Sequence, residues 1–169
     1  TEARYIDYEN AAPPPDWNWP TPNQAPAGFI KAPASLSRSN TRWENLPKWA
    51  FNLGANYSHP LSEIFEAFDP NWNRPVSAFG YVNAAWQDKT QLTDPNSIIQ
   101  YWQPAYTIVN TGLGVRTDDE RYSLWFWAKN VFDKRYITSW SPGSASAQAM
   151  IGVQSAPRYF GGTFRVTFD

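Results

Sequence analysis

The sequence predicts an all-β protein of six strands in antiparallel order, with no internal domain boundary over residues 1–169. Three observations predict it. Apolar and polar residues alternate over long stretches, most clearly at 46–58, 105–117 and 158–168, and period-2 alternation is the mark of a strand with two unlike faces. Segments rich in Pro, Gly and Ser separate these stretches. Aromatic residues are unusually many, with 10 Trp, 9 Tyr and 10 Phe, 17% of the chain.

Composition narrows the function classes. The chain has no Cys, so it holds no disulfide framework and no thiolate metal site. His59 is the single His, which excludes a His-rich metal cluster. The net charge is −1, from 14 basic and 15 acidic residues. No basic field suits nucleic acid, and no polybasic run suits an anionic membrane surface. Mean hydropathy is −0.57. No run of about 18 or more apolar residues occurs, which excludes a transmembrane helix. A membrane barrel stays open, because only alternate residues need face lipid. The aromatic excess has two readings. One is a Trp-rich soluble β domain; the other is a barrel whose interfacial girdles use Trp and Tyr. The chain begins TEARYIDYEN, with neither Met nor a charged-then-apolar leader, so the expectation is a processed chain, a fragment or one part of a split protein.

Each element has its own justification. Residues 3–10 carry Tyr5, Ile6 and Tyr8 among polar neighbours and read as the first strand. Residues 11–45 read as a long loop, since Pro13, Pro14, Pro15, Pro20, Pro22, Pro26 and Pro33 cannot donate to a ladder. In 46–58, Trp49, Phe51, Leu53, Ala55 and Tyr57 share one face, and Asn52, Gly54, Asn56 and Ser58 the other. That strand runs about twelve residues, close to the ~9–11 tilted residues that cross a bilayer; a half-buried sandwich strand would show the same periodicity. Residues 59–76 break the pattern with three prolines, and 62–68 could form one helical turn. Residues 77–90 resume a strand, with Val82, Ala84 and Trp86 opposite Tyr81, Asn83 and Ala85. Residues 91–104 are a polar loop. Residues 105–117 alternate Val109, Leu113 and Val115 against Asn110, Gly112, Gly114 and Arg116. Asp118 to Arg121 form a tight turn. Residues 122–136, YSLWFWAKNVFDKRY, begin as an aromatic strand, and 138–156 are a Ser-, Ala- and Gly-rich loop. The last strand, 158–168, puts Phe160, Gly162, Phe164 and Val166 opposite Tyr159, Gly161, Thr163 and Arg165.

Four short motifs in order carry a resemblance. They are Leu46-Pro47-Lys48-Trp49 through Tyr57, Tyr106 through Asn110, Asn130-Val131-Phe132-Asp133-Lys134-Arg135-Tyr136, and Pro157-Arg158-Tyr159-Phe160-Gly161. Together they resemble the closing strands of TonB-dependent outer-membrane receptors. The resemblance covers roughly residues 46–168 and says little of the substrate. It implies that these are the last six transmembrane strands of a 22-stranded, plugged barrel. The plug and the remaining strands would then lie on another chain or fragment. It implies a Gram-negative outer membrane, no enzymatic activity and no cofactor. It also implies a lipid and lipopolysaccharide environment, and an inner-membrane TonB complex acting through that plug. The activity implied is energy-coupled uptake, with an iron–siderophore complex as the first substrate class and carbohydrate or another scarce nutrient as the second. Loops 11–45, 91–104 and 138–156 would be extracellular, and the turn at 118–121 periplasmic. Residues 59–76 are long for a periplasmic connection, and Asp169 follows the aromatic residue on which the family ends. The reading from another class is a secreted, Trp-rich carbohydrate-binding β-sandwich.

Catalytic chemistry finds no foothold. No Cys nucleophile or Gly-rich phosphate loop exists, and His59 precedes Pro60 in a turn, with polar cues too sparse for a Ser–His–Asp arrangement. Asp118-Asp119 and Glu63/Glu66 read as solvated turn residues. Asn130, Asp133, Lys134 and Arg135 match the family pattern; the plainer reading is that they satisfy the strand's exit at a wet rim. The candidate ligand contacts are Trp17, Trp19, Trp43, Trp102 and Trp140, on the loops expected outside. Aromatic faces stack on sugars, aromatic siderophores or other planar ligands. Equally, these rings could pack on one another to hold the long loops.

Overall fold

The computed structural model describes residues 3–14, 33–69, 71, 74–97, 99–142 and 150–168. The elements run in the order β1 (Ala50–Pro60), α1 (Ser62–Phe68), β2 (Val76–Gln87), β3 (Thr90–Gln91), β4 (Trp102–Gln103), β5 (Tyr106–Thr117), β6 (Tyr122–Lys129), β7 (Ile137–Pro142), β8 (Met150–Gln154) and β9 (Tyr159–Val166). Apart from one seven-residue helix, the described elements are all strands. The chain divides into two units. One comprises Phe51–Trp86, Thr107–Lys134 and Pro157–Asp169, and the other Thr1–Ala50, Gln87–Tyr106 and Arg135–Ala156.

The first unit holds an open sheet in the order β1-β2-β5-β6-β9. Each sheet strand therefore pairs with the next one to enter the unit. β5–β6 and β6–β9 are antiparallel. For β1–β2 the links from Asn83 to Asn52 and from Ser58 to Ala78 run in opposite directions, which is the antiparallel sense. The sheet's edges are β1 and β9.

Alternation places unlike residues on its two faces. Phe51, Leu53, Val82, Trp86, Leu113, Val115, Leu124, Phe126, Phe160 and Phe164 occupy one face, through the pairings Leu113 with Phe126, Leu124 with Phe164 and Ala128 with Phe160. Phe51 stacks on Trp86 at 5.5 Å. No Asp, Glu, Lys or Arg stands at any strand position of this face. Most of it is open among the described residues, with Leu53 76% exposed, Phe160 80% and Phe164 66%, while at one end Val76 and Thr117 are buried and Phe65 of α1 lies beside them. The opposite face carries Asn52, Asn56, Phe79, Tyr81, Asn83, Arg116, Trp125, Trp127, Lys129, Tyr159, Thr163 and Arg165. There the amide of Asn83 donates to Asn52 Oδ1 at 2.6 Å, and the Trp127 indole N–H donates to Thr163 Oγ1 at 3.2 Å.

The connections follow local chemistry. The turn from Asp118 to Arg121 joins β5 to β6, with Glu120 at φ 54°. Ser77 donates to Asp118 at 2.7 Å and Arg74 reaches Asp119 at 2.9 Å, so this turn is tied to the start of β2 as well as solvated. A hydrogen bond from the Thr117 hydroxyl and another from the Arg121 backbone N–H hold the Asp119 carboxyl below the usual carboxylate range. That contribution is present above the ordinary carboxylate pKa and lost as pH falls through the depressed value. Between β1 and β2 the expected helical turn is α1, which Pro60 precedes and Pro70 follows in sequence.

The second unit corrects two expectations. Residues 3–10 are not a sheet strand. They make isolated bridges with the returning chain, Arg4 with Arg42 and Ala11 with Leu36. Tyr5 and Tyr8 meet each other at 5.1 Å, and Tyr5 meets Trp43 at 5.5 Å, so the rings gather locally instead of alternating across a ladder. The sheet accordingly has five strands, not six. The segments expected as plain loops carry ladders of their own, β3–β4 within 90–103 and β7–β8 within 137–154. A register shift between Ile137 and Ser139 interrupts the period-2 signal of β7, which hides it in the sequence.

Polar groups fill this unit's interior. Thr90, Gln91, Thr93, Ser97 and Gln103 are buried, against Ala11 and Leu92 as its buried apolar residues. They pair internally: Gln91 donates to Gln100 Oε1 at 2.5 Å, Tyr101 N–H to Thr93 Oγ1 at 3.0 Å, and Ile137 N–H to Gln103 Oε1 at 2.8 Å. Arg38 bonds Asp94, lies 3.5 Å from Glu44 and sits over the Tyr5 ring. Burial, and next the Glu44 carboxylate, push the Tyr5 phenol above its usual value.

Glycine permits the close approach of rings on the polar face. A Cβ at Gly161 would lie 2.6 Å from the Trp127 ring, and one at Gly112 2.6 Å from the Tyr81 ring. Gly161→Ala should therefore lower stability by about 1–3 kcal/mol, and Trp127→Leu should remove most of that penalty. Urea unfolding of the two single variants and the double variant checks this; additive costs would contradict the ring-over-glycine packing.

Candidate functional site

Asparagine and aspartate side chains at strand ends can replace missing ladder partners, and three of the motif residues do so at one corner of the sheet. Val131 N–H bonds Val109 O at 2.9 Å as β6 ends. Just before it, Asn130 N–H donates to the side-chain oxygen of Asn110 on β5 at 3.0 Å. Asn130 then closes the following turn: its amide donates to Lys134 O at 3.0 Å and its Oδ1 accepts from Lys134 N–H at 2.8 Å. Asn130 and Asp133 have φ of 52° and 50°, in the left-handed region that Asn and Asp tolerate best after Gly. Asp133 Oδ1 accepts Arg158 N–H at 2.7 Å, and the Arg158 guanidinium reaches Val131 O at 3.4 Å. Three sequence-distant motifs thus meet in one hydrogen-bonded corner joining β5, β6 and the start of β9. Asn130 is 6% exposed, which suits a structural joint better than a ligand contact.

The five Trp candidates fare differently. Trp17 and Trp19 lie outside the described residues. Trp43 is 46% exposed and packs on Tyr5. Trp102 is 41% exposed, with the Lys89 ammonium 5.7 Å from its ring centre. Trp140 stacks on Tyr101 at 4.4 Å with planes 2° apart, lies over Gly152, and buries its indole nitrogen without a hydrogen-bond partner. The three described rings have different neighbours and form no common stack. Trp43 and Trp102 are part-exposed, while Trp140 packs within the β7–β8 hairpin.

The polar face of the sheet is the arrangement that no candidate residue anticipated. Arg116 lies over Phe79 at 5.6 Å, Lys129 over Tyr81 at 5.8 Å and Arg165 over Trp125 at 5.8 Å. Phe79 meets Trp125 edge-on at 6.3 Å, and Trp127 meets Tyr159 at 5.8 Å. An open concavity of about 750 Å³ lies there, lined by Phe79, Tyr81, Arg116, Trp125 and Arg165 and, from the turn, by Asp119 and Glu120. The parity of each strand assigned these residues to one side; combining the strands requires the register between β5, β6 and β9.

No helix of the described residues is long and apolar enough to cross a membrane, which leaves crossing by strands unaddressed. Among known proteins, no family model, curated protein or solved structure matches the chain.

The corner yields a graded expectation. Asn130→Ala loses both side-chain bonds and places a Cβ-bearing residue without Asn's local pairing at positive φ, for about 2–4 kcal/mol. Asn130→Gly keeps the backbone conformation and should cost about half as much. Denaturant midpoints check the order; an Ala variant as stable as the parent would contradict the role of Asn130 as a joint.

Proposed function

We propose that the chain forms closing strands of a TonB-dependent outer-membrane transporter. It contributes five strands to a 22-stranded, plugged barrel that further polypeptide completes. The observation that carries this reading is the charge-free apolar face that spans all five strands and is largely exposed. Lipid is the cover that suits such a face. β2 and β5 have 12 residues each. At ~3.4 Å per residue and ~45° of tilt they reach about 29 Å, matching a hydrocarbon layer of ~25–30 Å.

Lipid cannot satisfy the two edges. β1 has 11 residues and β9 has 8. Roughly half the backbone groups of each edge point outward, and each costs several kcal/mol unpaired in hydrocarbon. The reading therefore includes a partner that supplies neighbouring strands and the plug, with force on that plug from an inner-membrane TonB complex. The hydrogen-bonded corner of Asn110, Asn130, Asp133 and Arg158 supports the family resemblance, because it gives those motif residues one shared task. Energy-coupled uptake of a scarce nutrient follows from the family, with an iron–siderophore complex as the first substrate class. Trp43 and Trp102 are the described side chains offering ligand-facing rings. A soluble sugar-binding sandwich would need a second sheet over the apolar face, and the described residues supply none.

Two substitutions on β1, one on each face, test the reading. Leu53→Arg should cost roughly 2–4 kcal/mol in membranes, and Asn56→Arg, on the opposite face, much less. Urea titration of the protein in outer-membrane vesicles measures both. Equal costs would contradict a lipid-facing Leu53.

A further inference from the structure

We propose that α1 is an amphipathic anchor lying in the lipid headgroup boundary at one end of the sheet, with Ile64 and Phe68 set into the acyl region; the proposal rests on the transporter reading and gives the long 59–76 connection a task. Leu61, Ile64, Phe65 and Phe68 stand at i, i+3, i+4 and i+7, which places them on one side of the helix. Glu63 and Glu66, both exposed, take the other side. Phe65 turns to the sheet, where it lines an apolar hollow of about 200 Å³ with Val76, Val115, Leu124 and Phe164. Ile64 is 54% exposed and Phe68 87%, so the rest of the stripe has no cover among the described residues.

Backbone bonds fix where α1 sits. Leu61 N–H donates to Val76 O at 2.7 Å, so the helix begins where the β1–β2 pairing ends. Asp118 N–H donates to Pro75 O at 2.9 Å and ties the same end to the β5–β6 turn. Phe65 lies beside the buried Val76 and Thr117, on the apolar side of the sheet. The exposed stripe of α1 thus continues the face that the transporter reading gives to lipid. It does so at the end of that face, where hydrocarbon gives way to headgroups. An interfacial helix buries its apolar side by ~5–10 Å and keeps its charges in water. Ile64 and Phe68 suit the first requirement, and Glu63 and Glu66 the second. α1 carries no Lys or Arg, so apolar area holds it, and attraction to anionic headgroups does not. A basic protein partner would meet the two glutamates on their own side and leave the apolar stripe exposed.

A photo-crosslinking residue placed in turn at Phe68, Glu66 and Phe164 tests this on the full chain in its native membrane. The Phe164 probe stands on the apolar face of the sheet and reports insertion. The Phe68 probe should capture lipid at a yield about tenfold or more above the Glu66 probe, the ratio expected when one ring-sized group is buried and the other stays in water. Capture of protein at Phe68, no adduct there, or equal lipid yields at Phe68 and Glu66, while Phe164 labels lipid, overturns the anchor and leaves the transporter reading standing. Failure of the Phe164 probe to label lipid overturns the transporter reading itself, and this inference with it.

Discussion

An uncovered apolar face is the constraint on which the rest of this structure depends. Phe51, Leu53, Leu113, Phe126, Phe160 and Phe164 are each at least 60% exposed on one side of the sheet. Covering a side chain of that size is worth about 1.5–3 kcal/mol, so leaving six in water forfeits roughly 10 kcal/mol or more. A typical fold has only about 5–15 kcal/mol of net stability. The sheet's main-chain ladder cannot offset that alone, because each hydrogen bond nets only about 1 kcal/mol. A face of this kind, with no charge at any strand position, suits a cover that is not water, and lipid is the cover of the proposed reading.

The polar face answers the same constraint from the other side. The sheet's charged and hydrogen-bonding strand residues collect on the face opposite the apolar one, with three cations and a layer of rings. The second unit follows a different rule. Its buried groups are Thr, Gln and Ser paired with one another and with backbone, and an arginine bonded to an aspartate. Such networks fix loops through direction rather than area, at high cost if one partner is lost.

Much of the sheet was legible because its strands are amphipathic with a strict period of two. The predicted stretches 46–58, 77–90, 105–117 and 158–168 contain β1, β2, β5 and β9 to within a few residues. Residues 3–10 misled because three aromatic or aliphatic residues among charges look like a strand, whereas Tyr5 and Tyr8 pack on each other and the segment meets the returning chain through isolated bridges instead of a ladder. β7 was hidden by its register shift and by small residues that carry little hydrophobic signal. Trp140 was read as an outward ring, yet its partner Tyr101 lies 39 positions earlier, a contact that no local pattern reveals. Asn130 and Asp133 were readable as rim residues, since both tolerate positive φ and bond backbone. Their link to Arg158 depends on how β6 and β9 pair.

The account stands or falls on whether this sheet exists by itself. Native mass determination of the chain, extracted from membranes in mild detergent and separately in plain buffer, addresses that directly. The account predicts that the chain sediments in detergent within a species several times larger than 19.3 kDa, containing additional barrel strands, and aggregates in plain buffer. A folded, monodisperse 19.3 kDa monomer in plain buffer would contradict it.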